Sequence, residues 1–513
     1  MEGKYDIQRI IEGLLGIKQL IPSGSMPSLT ASLDDAVMRI TEPMQLAIMG
    51  KIKVSKSTLV NAILGKKEFM ATANEEMTYN VGWLKYGKPD ADIIIHHKDK
   101  TPDTRKSQTD FLQWSATKNN PEFDNVSYIE VFDDSEILQE LNIIDTPGLD
   151  SFYRKDSKNT LDFISKVRPD AIIMLYTHSP SENVVDVVSK FNSNGCTLNP
   201  LNAIGVLSKI DVLWCESDKD KSALDLGNNM AKRRMLREPK LKKTLFNIYP
   251  ISSLLFLASK IMNDSVFENM VNISKIDDSI LDKSLMSVDN FLESNDLPLS
   301  LEGKRNLLGT LDRYGIHLIC QGLKNGSVTD LDSAKKLLYK ESGAEEFMKI
   351  LKNHFGKRAK LIKMESIYQN IQQKIAAEQA TADVNILNKI RQRIADLFSS
   401  LVYDHHEYEL LYQLYSGEKQ IDESAKQEFL TLCGEHGNSA AERLGFPKNA
   451  DLQQLADKAI ERENYWRKQV SLEPDLEERL WMDTILSSYS RFRIKLQTMK
   501  RQYDEAKAFL FNE

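Results

Sequence analysis

Apolar residues along this chain follow three rhythms. Ile7, Ile10, Ile11, Leu14, Leu15 and Ile21 recur at helical spacing and form one apolar stripe. A Pro/Ser/Gly stretch at Ile21–Pro27 ends that helix, so residues 1–43 read as a mostly helical segment. Between 44 and 265 the rhythm changes to short apolar runs separated by helix-length segments. Strands are expected at Gln45–Met49, Tyr79–Tyr86, Ile93–His96, Ser127–Val131, Leu141–Ile144, Ala171–Tyr176, Ala203–Leu207 and Phe246–Ile251. Several are continuously apolar, as strands covered on both faces of a mainly parallel sheet are. The alternation predicts a doubly wound α/β domain. Residues 266–513 carry almost no strand signal. Leu361, Met364, Tyr368, Ile371 and Ile375 step by three and four, and Met482, Ile485, Tyr489, Phe492, Leu496, Met499, Tyr503, Ala506 and Leu510 keep that step for four heptads. The second series is a bundle seam about 42 Å long. The stripes at Ile7–Ile21 and Met482–Leu510 each lack a sequence-local partner, and they are expected to pack together as a neck beneath the α/β domain.

Composition narrows the function classes. The 513 residues include only 23 Gly and 15 Pro, which suits a helix-rich chain. A net charge of −7 disfavours a dedicated nucleic-acid binder, so no nucleic-acid partner is expected. Four well-separated cysteines, without a CxxC pair, provide neither a disulfide framework nor a zinc knuckle and fit a reducing cytosol. The first twenty residues mix charges through the apolar positions, unlike a signal peptide. No apolar run approaches 18 residues, so a cytoplasmic protein with at most peripheral membrane contact is expected.

The chemistry concentrates in four places. Gly50-Lys51-Ile52-Lys53-Val54-Ser55-Lys56-Ser57-Thr58 follows a strand and opens a helix, the setting of a phosphate-binding loop. Backbone amides there would cradle phosphates. Lys56 would neutralise the β- and γ-phosphates, and the Ser57 hydroxyl would ligate Mg²⁺. Ser55 stands where the GxxxxGK[ST] pattern has its second Gly, and a positive φ there would carry strain of roughly 1–2 kcal/mol. Leu141-Asn142-Ile143-Ile144-Asp145-Thr146-Pro147-Gly148 is an apolar strand ending in DxxG, in which Asp145 would serve Mg²⁺ and the Gly148 amide the γ-phosphate. Ser208-Lys209-Ile210-Asp211 ends another strand in the manner of the guanine-specifying [NT]KxD element, with Asp211 accepting from guanine N1–H and N2–H₂. Ser252 and Ser253, at a fourth strand end, are placed to approach guanine O6.

With these residues in this order the chain resembles the dynamin superfamily, especially bacterial dynamin-like proteins. STLVNAILGKK, IIDTPGLDS and NEEMTYNVGWLKYG are similar to that family's sequences, as are the later Tyr314-Gly315-Ile316 and Ser342-Gly343 segments. Lys56 and Asp145 stand 89 positions apart, an enlargement typical of dynamin-like G domains. A Leo-type branch associated with enterotoxin output is a candidate subfamily. The resemblance implies a G domain at 44–265 between a helical neck segment at 1–43 and a neck and trunk at 266–513. It implies GTP as substrate, GDP as product, Mg²⁺ as cofactor and self-association through G domains. Thr78 matches the switch I threonine that serves Mg²⁺ and the γ-phosphate, with Thr72 as its rival. Lys56 and Thr78 are then the catalytic candidates. Ile52 and Lys53 occupy the positions of a Gln-Ser pair that positions the attacking water in eukaryotic members.

Weaker signals remain. Lys232, Arg233, Arg234, Arg237, Lys240, Lys242 and Lys243 make a basic run that reads first as a solvated helix face. The His and Cys positions offer no metal-ligand set. The reversal at Gly434–Ala450, with Leu444 and Phe446, is the candidate membrane-facing trunk tip. The favoured function is a dynamin-like GTPase in membrane remodelling or vesicle-associated secretion. The alternative is a nucleotide-sensing scaffold that hydrolyses little and acts through protein partners.

Overall fold

The computed structural model describes residues 2–51, 53–67, 69–70, 80–99, 101–111, 114, 125–146, 169–177, 200–214, 221–380, 383–399, 402–437 and 439–511. Among them, nine strands form one sheet in the order β4-β3-β5-β2-β6-β1-β7-β8-β9. These are β1 (Met44–Gly50), β2 (Gly82–Tyr86), β3 (Ile93–His97), β4 (Thr104–Lys106), β5 (Val126–Asp133), β6 (Leu141–Asp145), β7 (Ala171–Tyr176), β8 (Ala203–Ser208) and β9 (Ile248–Ile251). The run β6-β1-β7-β8-β9 is parallel throughout. Every residue of those five strands is buried, which is why they read as unbroken apolar runs. Beyond β6 the sheet turns mixed: β2 joins antiparallel, β5 lies parallel to β2, and β3 and β4 close the edge antiparallel. The eight expected strands all have counterparts. The ninth, β4, is Thr104-Arg105-Lys106, a short charged edge strand with no apolar alternation to announce it.

The chain divides into two compact units. One runs from Pro43 to Ile350, apart from residues 199–201. Those residues group with the second unit, which comprises Met1–Glu42 and Leu351–Glu513. The sheet unit therefore extends well past the boundary expected at 265. Helices Ser253–Ile261, Asp264–Ser274, Leu301–Asn325 and Leu331–Glu341 share one core, with Leu255, Met270, Leu311, Ile319 and Leu338 fully buried in it. A helical stripe reports that a face is buried but not which core receives it. Gly343 shows how closely this helical part meets β9. Its φ is +77°, and a Cβ there would fall 2.2 Å from the Pro250 carbonyl oxygen. Beside it, the Ser252 amide donates to the Ser342 carbonyl at 3.0 Å.

In the other unit, the N-terminal helix Glu2–Lys18 packs on Pro27–Thr41 and on Val384–Ser399, and helix Lys357–Ala377 packs on Pro27–Thr41. Ile10, Leu14 and Ile17 meet Met364, Ile371, Ile375, Ile390 and Ile394 in one core. Lys363 caps the neighbouring helix end by donating to the carbonyls of Arg39 (2.7 Å) and Glu42 (2.5 Å). The final helix, Leu476–Phe511, instead lies along Leu452–Leu472 and touches Val402–Ser416. The expected pairing of the two terminal stripes is thus replaced by two separate seams, because heptad spacing specifies a seam without naming its partner. At the reversal between Glu423–Leu432 and Leu452–Leu472, Leu444 is buried rather than presented outward, so it supplies no apolar wedge. No helix among the described residues is long and apolar enough to cross a membrane.

Candidate functional site

The parallel register aligns the carboxyl ends of the central strands, where ligands of open α/β sheets bind. Ile48 lies beside Asp145, Gly50 beside Leu175, and Ser208 beside Ile251. The loop after β1 passes so near β7 that a Cβ on Gly50 would fall 2.6 Å from the Leu175 carbonyl oxygen. Lys53 and Ser55 both adopt left-handed backbone, with φ of 63° and 66°. Ser55 is the cap from which helix Lys56–Leu64 departs, and the strain expected of a side chain at this bend is present in its backbone.

Lys56 is buried. Its ammonium folds back over the loop and donates to the carbonyls of Gly50 (3.2 Å) and Lys51 (2.9 Å). Ser57 follows on the first helical turn, and its hydroxyl donates to the Asp145 carboxylate at 3.2 Å. Thr58 sits next to it, half-buried. Asp145 ends β6 with no exposed surface, and the adjacent Thr146 hydroxyl donates to the Ile48 carbonyl at 2.9 Å. A serine hydroxyl and a carboxylate brought together are hard oxygen donors of the kind Mg²⁺ takes. Among the described residues no group of three or more His, Cys, Asp or Glu could hold a metal.

The end of β8 reaches the same loop. The Ser208 hydroxyl, almost fully buried, donates to the Val54 carbonyl at 2.6 Å and so pins the end of β8 to the phosphate loop. Lys209 turns left-handed (φ 58°, ψ 43°) and starts the short 3-10 turn Ile210–Leu213 that carries Asp211. Burial raises the Asp211 carboxyl above its ordinary value; the Ser252 hydroxyl opposes the rise, Asp312 adds to it, and Lys209 opposes it. Ser252 is also committed to structure, its hydroxyl accepting from the Leu255 amide at 3.3 Å. The Ser253 hydroxyl is buried with no hydrogen-bond partner among the described residues, leaving it the freer of the pair to meet a ligand. Ile52, Thr72, Thr78 and Gly148 lie outside the described residues. Sequence reasoning missed Val54, which acts through its carbonyl and carries no side-chain signal. It also missed Asp312, whose φ of 51° and ψ of 179° interrupt helix Leu301–Asn325.

A family model described as the Dynamin family matches residues 46–210, a span that contains the phosphate loop, Asp145 and Ser208–Lys209. Residues 46–210 are a dynamin-family domain. Around this dynamin-family domain the similarity extends along most of the chain. The isoniazid-induced protein IniC of Mycobacterium tuberculosis is 25% identical over 448 residues, 86% of this chain and 87% of its own. Among solved structures, an oligomerised bacterial dynamin pair, described as a mechanism for long-range sensing and tethering of membranes, covers 97% of this chain and 92% of its own. Its identity is 14% and its TM-score 0.35. LeoA, a bacterial dynamin GTPase from ETEC, covers 96% and 77% respectively, at 13% identity and a TM-score of 0.25.

Proposed function

We propose that this chain is a dynamin-like GTPase that binds GTP with Mg²⁺ and hydrolyses it to GDP and phosphate, coupled to movement of its helical regions. The observation that carries the reading is the Ser57–Asp145 contact beside the buried Lys56 ammonium. In this reading the loop amides and Lys56 hold the β- and γ-phosphates, exchanging the Gly50 and Lys51 carbonyls for phosphate oxygens. Ser57 and Asp145 would hold the metal, which when bound would supply charge to neutralise the phosphates. Thr78, with Thr72 as rival, serves as the switch I threonine, and the Gly148 amide meets the γ-phosphate. Asp211 accepts from guanine N1–H and N2–H₂, Lys209 lies along the base, and Ser253 with Ser252 faces O6. Water oxygen attacks the γ-phosphorus as the bond to the β-phosphate oxygen breaks.

Ile52 and Lys53 offer no side chain suited to positioning that water, so basal turnover is slow and self-association across G domains completes the site. The work proposed is membrane remodelling, tethering or vesicle-associated secretion from a peripheral position, in keeping with what the bacterial dynamin pair is described as doing. A second reading, a nucleotide-sensing scaffold with little hydrolysis, is favoured by one observation: the left-handed Ser55 at the phosphate bend. Phosphate release from GTP, with Mg²⁺ and with or without liposomes, separates the two. The GTPase reading expects slow release that Lys56→Ala abolishes. GTP binding without release under either condition selects the scaffold, and absence of GTP binding overturns both.

A further inference from the structure

A cavity of about 250 Å³ lies between helix Ala223–Arg237 and the β7–β9 part of the sheet. None of the phosphate-loop, Asp145, Asp211 or Ser252 positions lines it. Buried Tyr176, Leu207 and Ile248, from three adjacent strands, form its base, and Met230 and Ala231 its apolar wall. Arg233, Arg234 and Arg237 crowd its edge with a single carboxylate, Glu238, which pairs with Arg234 at 2.9 Å. Arg233 and Arg237 have no carboxylate partner among the described residues, and the lining carries two positive charges in excess.

Tyr176 is 6% exposed, and its hydroxyl has no hydrogen-bond partner among the described residues. Native proteins rarely bury a polar group without a partner. Burial also holds this phenol protonated far above its ordinary range, against the lowering pull of Arg234. It is therefore an unpartnered donor at the base of a cationic, partly apolar hollow. Arginine forks match phosphate oxygens in pairs, and two excess positive charges match a dianionic phosphomonoester better than a monoanionic carboxylate. The basic run that reads from sequence as a solvated face thus has a built recess behind part of it.

We propose that this cavity is a second anion site, taking a phosphomonoester carried on a compact apolar body. Arg233, Arg234 and Arg237 take the phosphate, the Tyr176 hydroxyl donates to one of its oxygens, and Leu207, Met230 and Ile248 cover the apolar part. The ligand is either a free phosphomonoester or the terminal phosphate of a lipid headgroup, and the site does not depend on the nucleotide reading.

The test is calorimetric titration of the full chain with phenyl phosphate and with inorganic phosphate. Cosedimentation with phosphatidylcholine vesicles, with and without phosphatidic acid, forms a second arm. Phenyl phosphate is expected to bind more tightly than inorganic phosphate. Tyr176→Phe, which keeps the ring and its packing, should weaken it about tenfold. Arg233→Gln combined with Arg237→Gln should weaken it further, and Lys56→Ala should leave it unchanged. Vesicle binding that requires phosphatidic acid and falls in Tyr176→Phe assigns the lipid source; phenyl phosphate binding without vesicle binding assigns a free ligand. No phenyl phosphate binding, binding indifferent to Tyr176→Phe, or binding lost in Lys56→Ala overturns the proposal, the last by placing the anion in the phosphate loop.

Discussion

Ser55 holds φ of 66° at the one bend of the phosphate loop where the GxxxxGK[ST] pattern has Gly, and a Cβ in that region costs about 1–2 kcal/mol. Removing the side chain relieves the strain without touching Lys56 or Ser57. Ser55→Gly should therefore tighten GTP binding, while Lys56→Ala should abolish it, since the Lys56 ammonium is the charge held over the loop. A titration in which Ser55→Gly binds no better than the unmodified chain would show that the bend is not limiting. Asp211 presents the opposite balance. Its carboxyl is raised chiefly by burial, so folding favours the protonated form. That contribution to stability is complete in acid below the carboxyl's unfolded value and is lost as pH rises through the folded value. Guanine, however, needs the ionised acceptor. Asp211→Asn should then melt no lower than the unmodified chain at neutral pH while binding GTP at least about tenfold more weakly. A clear drop in Tm would contradict the burial argument. By the same linkage, GTP affinity in the unmodified chain should begin to fall at a higher pH than a solvent-exposed aspartate would give.

At the scale of elements, the final helix carries its own test. Ile485, Tyr489 and Leu496 are buried along the seam with Leu452–Leu472, but Met499 and Tyr503 are 49% and 64% exposed. Lys500 reaches Gln453, at the start of the partner helix, so the seam outruns its partner from there. Deleting residues 501–513 should leave the thermal transition almost unchanged. Deleting 483–513 removes three large buried side chains, each worth about 1.5–3 kcal/mol, and should unfold the helical unit; equal melting of the two truncations would refute the seam. This helix also shows what was legible in the sequence. Its period, length and apolar positions could be read, as could five buried parallel strands, because burial on both faces leaves continuous apolar runs. Partners could not be read. The stripe at Ile10, Leu14 and Ile17 met helices near 364–394, and the helices after 265 joined the sheet unit, because period alone does not say which of several apolar faces will meet. The edge strand β4 escaped because three polar residues at a sheet margin have no pattern.

For the whole molecule, the candidate site is a property of the Pro43–Ile350 unit: the phosphate loop after β1, Asp145 at the end of β6, Asp211 after β8 and Ser252–Ser253 after β9. Its side chains were legible because strand-end chemistry has fixed order and spacing. What holds them together was less so, because the Ser208 bond reaches a backbone carbonyl and the Ser342–Gly343 contact works through close approach. The central claim is that this unit selects guanine nucleotides. Parallel calorimetric titrations of the unmodified chain with GTP and ATP, in Mg²⁺, test it most directly. The account predicts saturable GTP binding at least tenfold tighter than ATP, a ratio that collapses in Asp211→Asn. Equal affinity for GTP and ATP in the unmodified chain would contradict it.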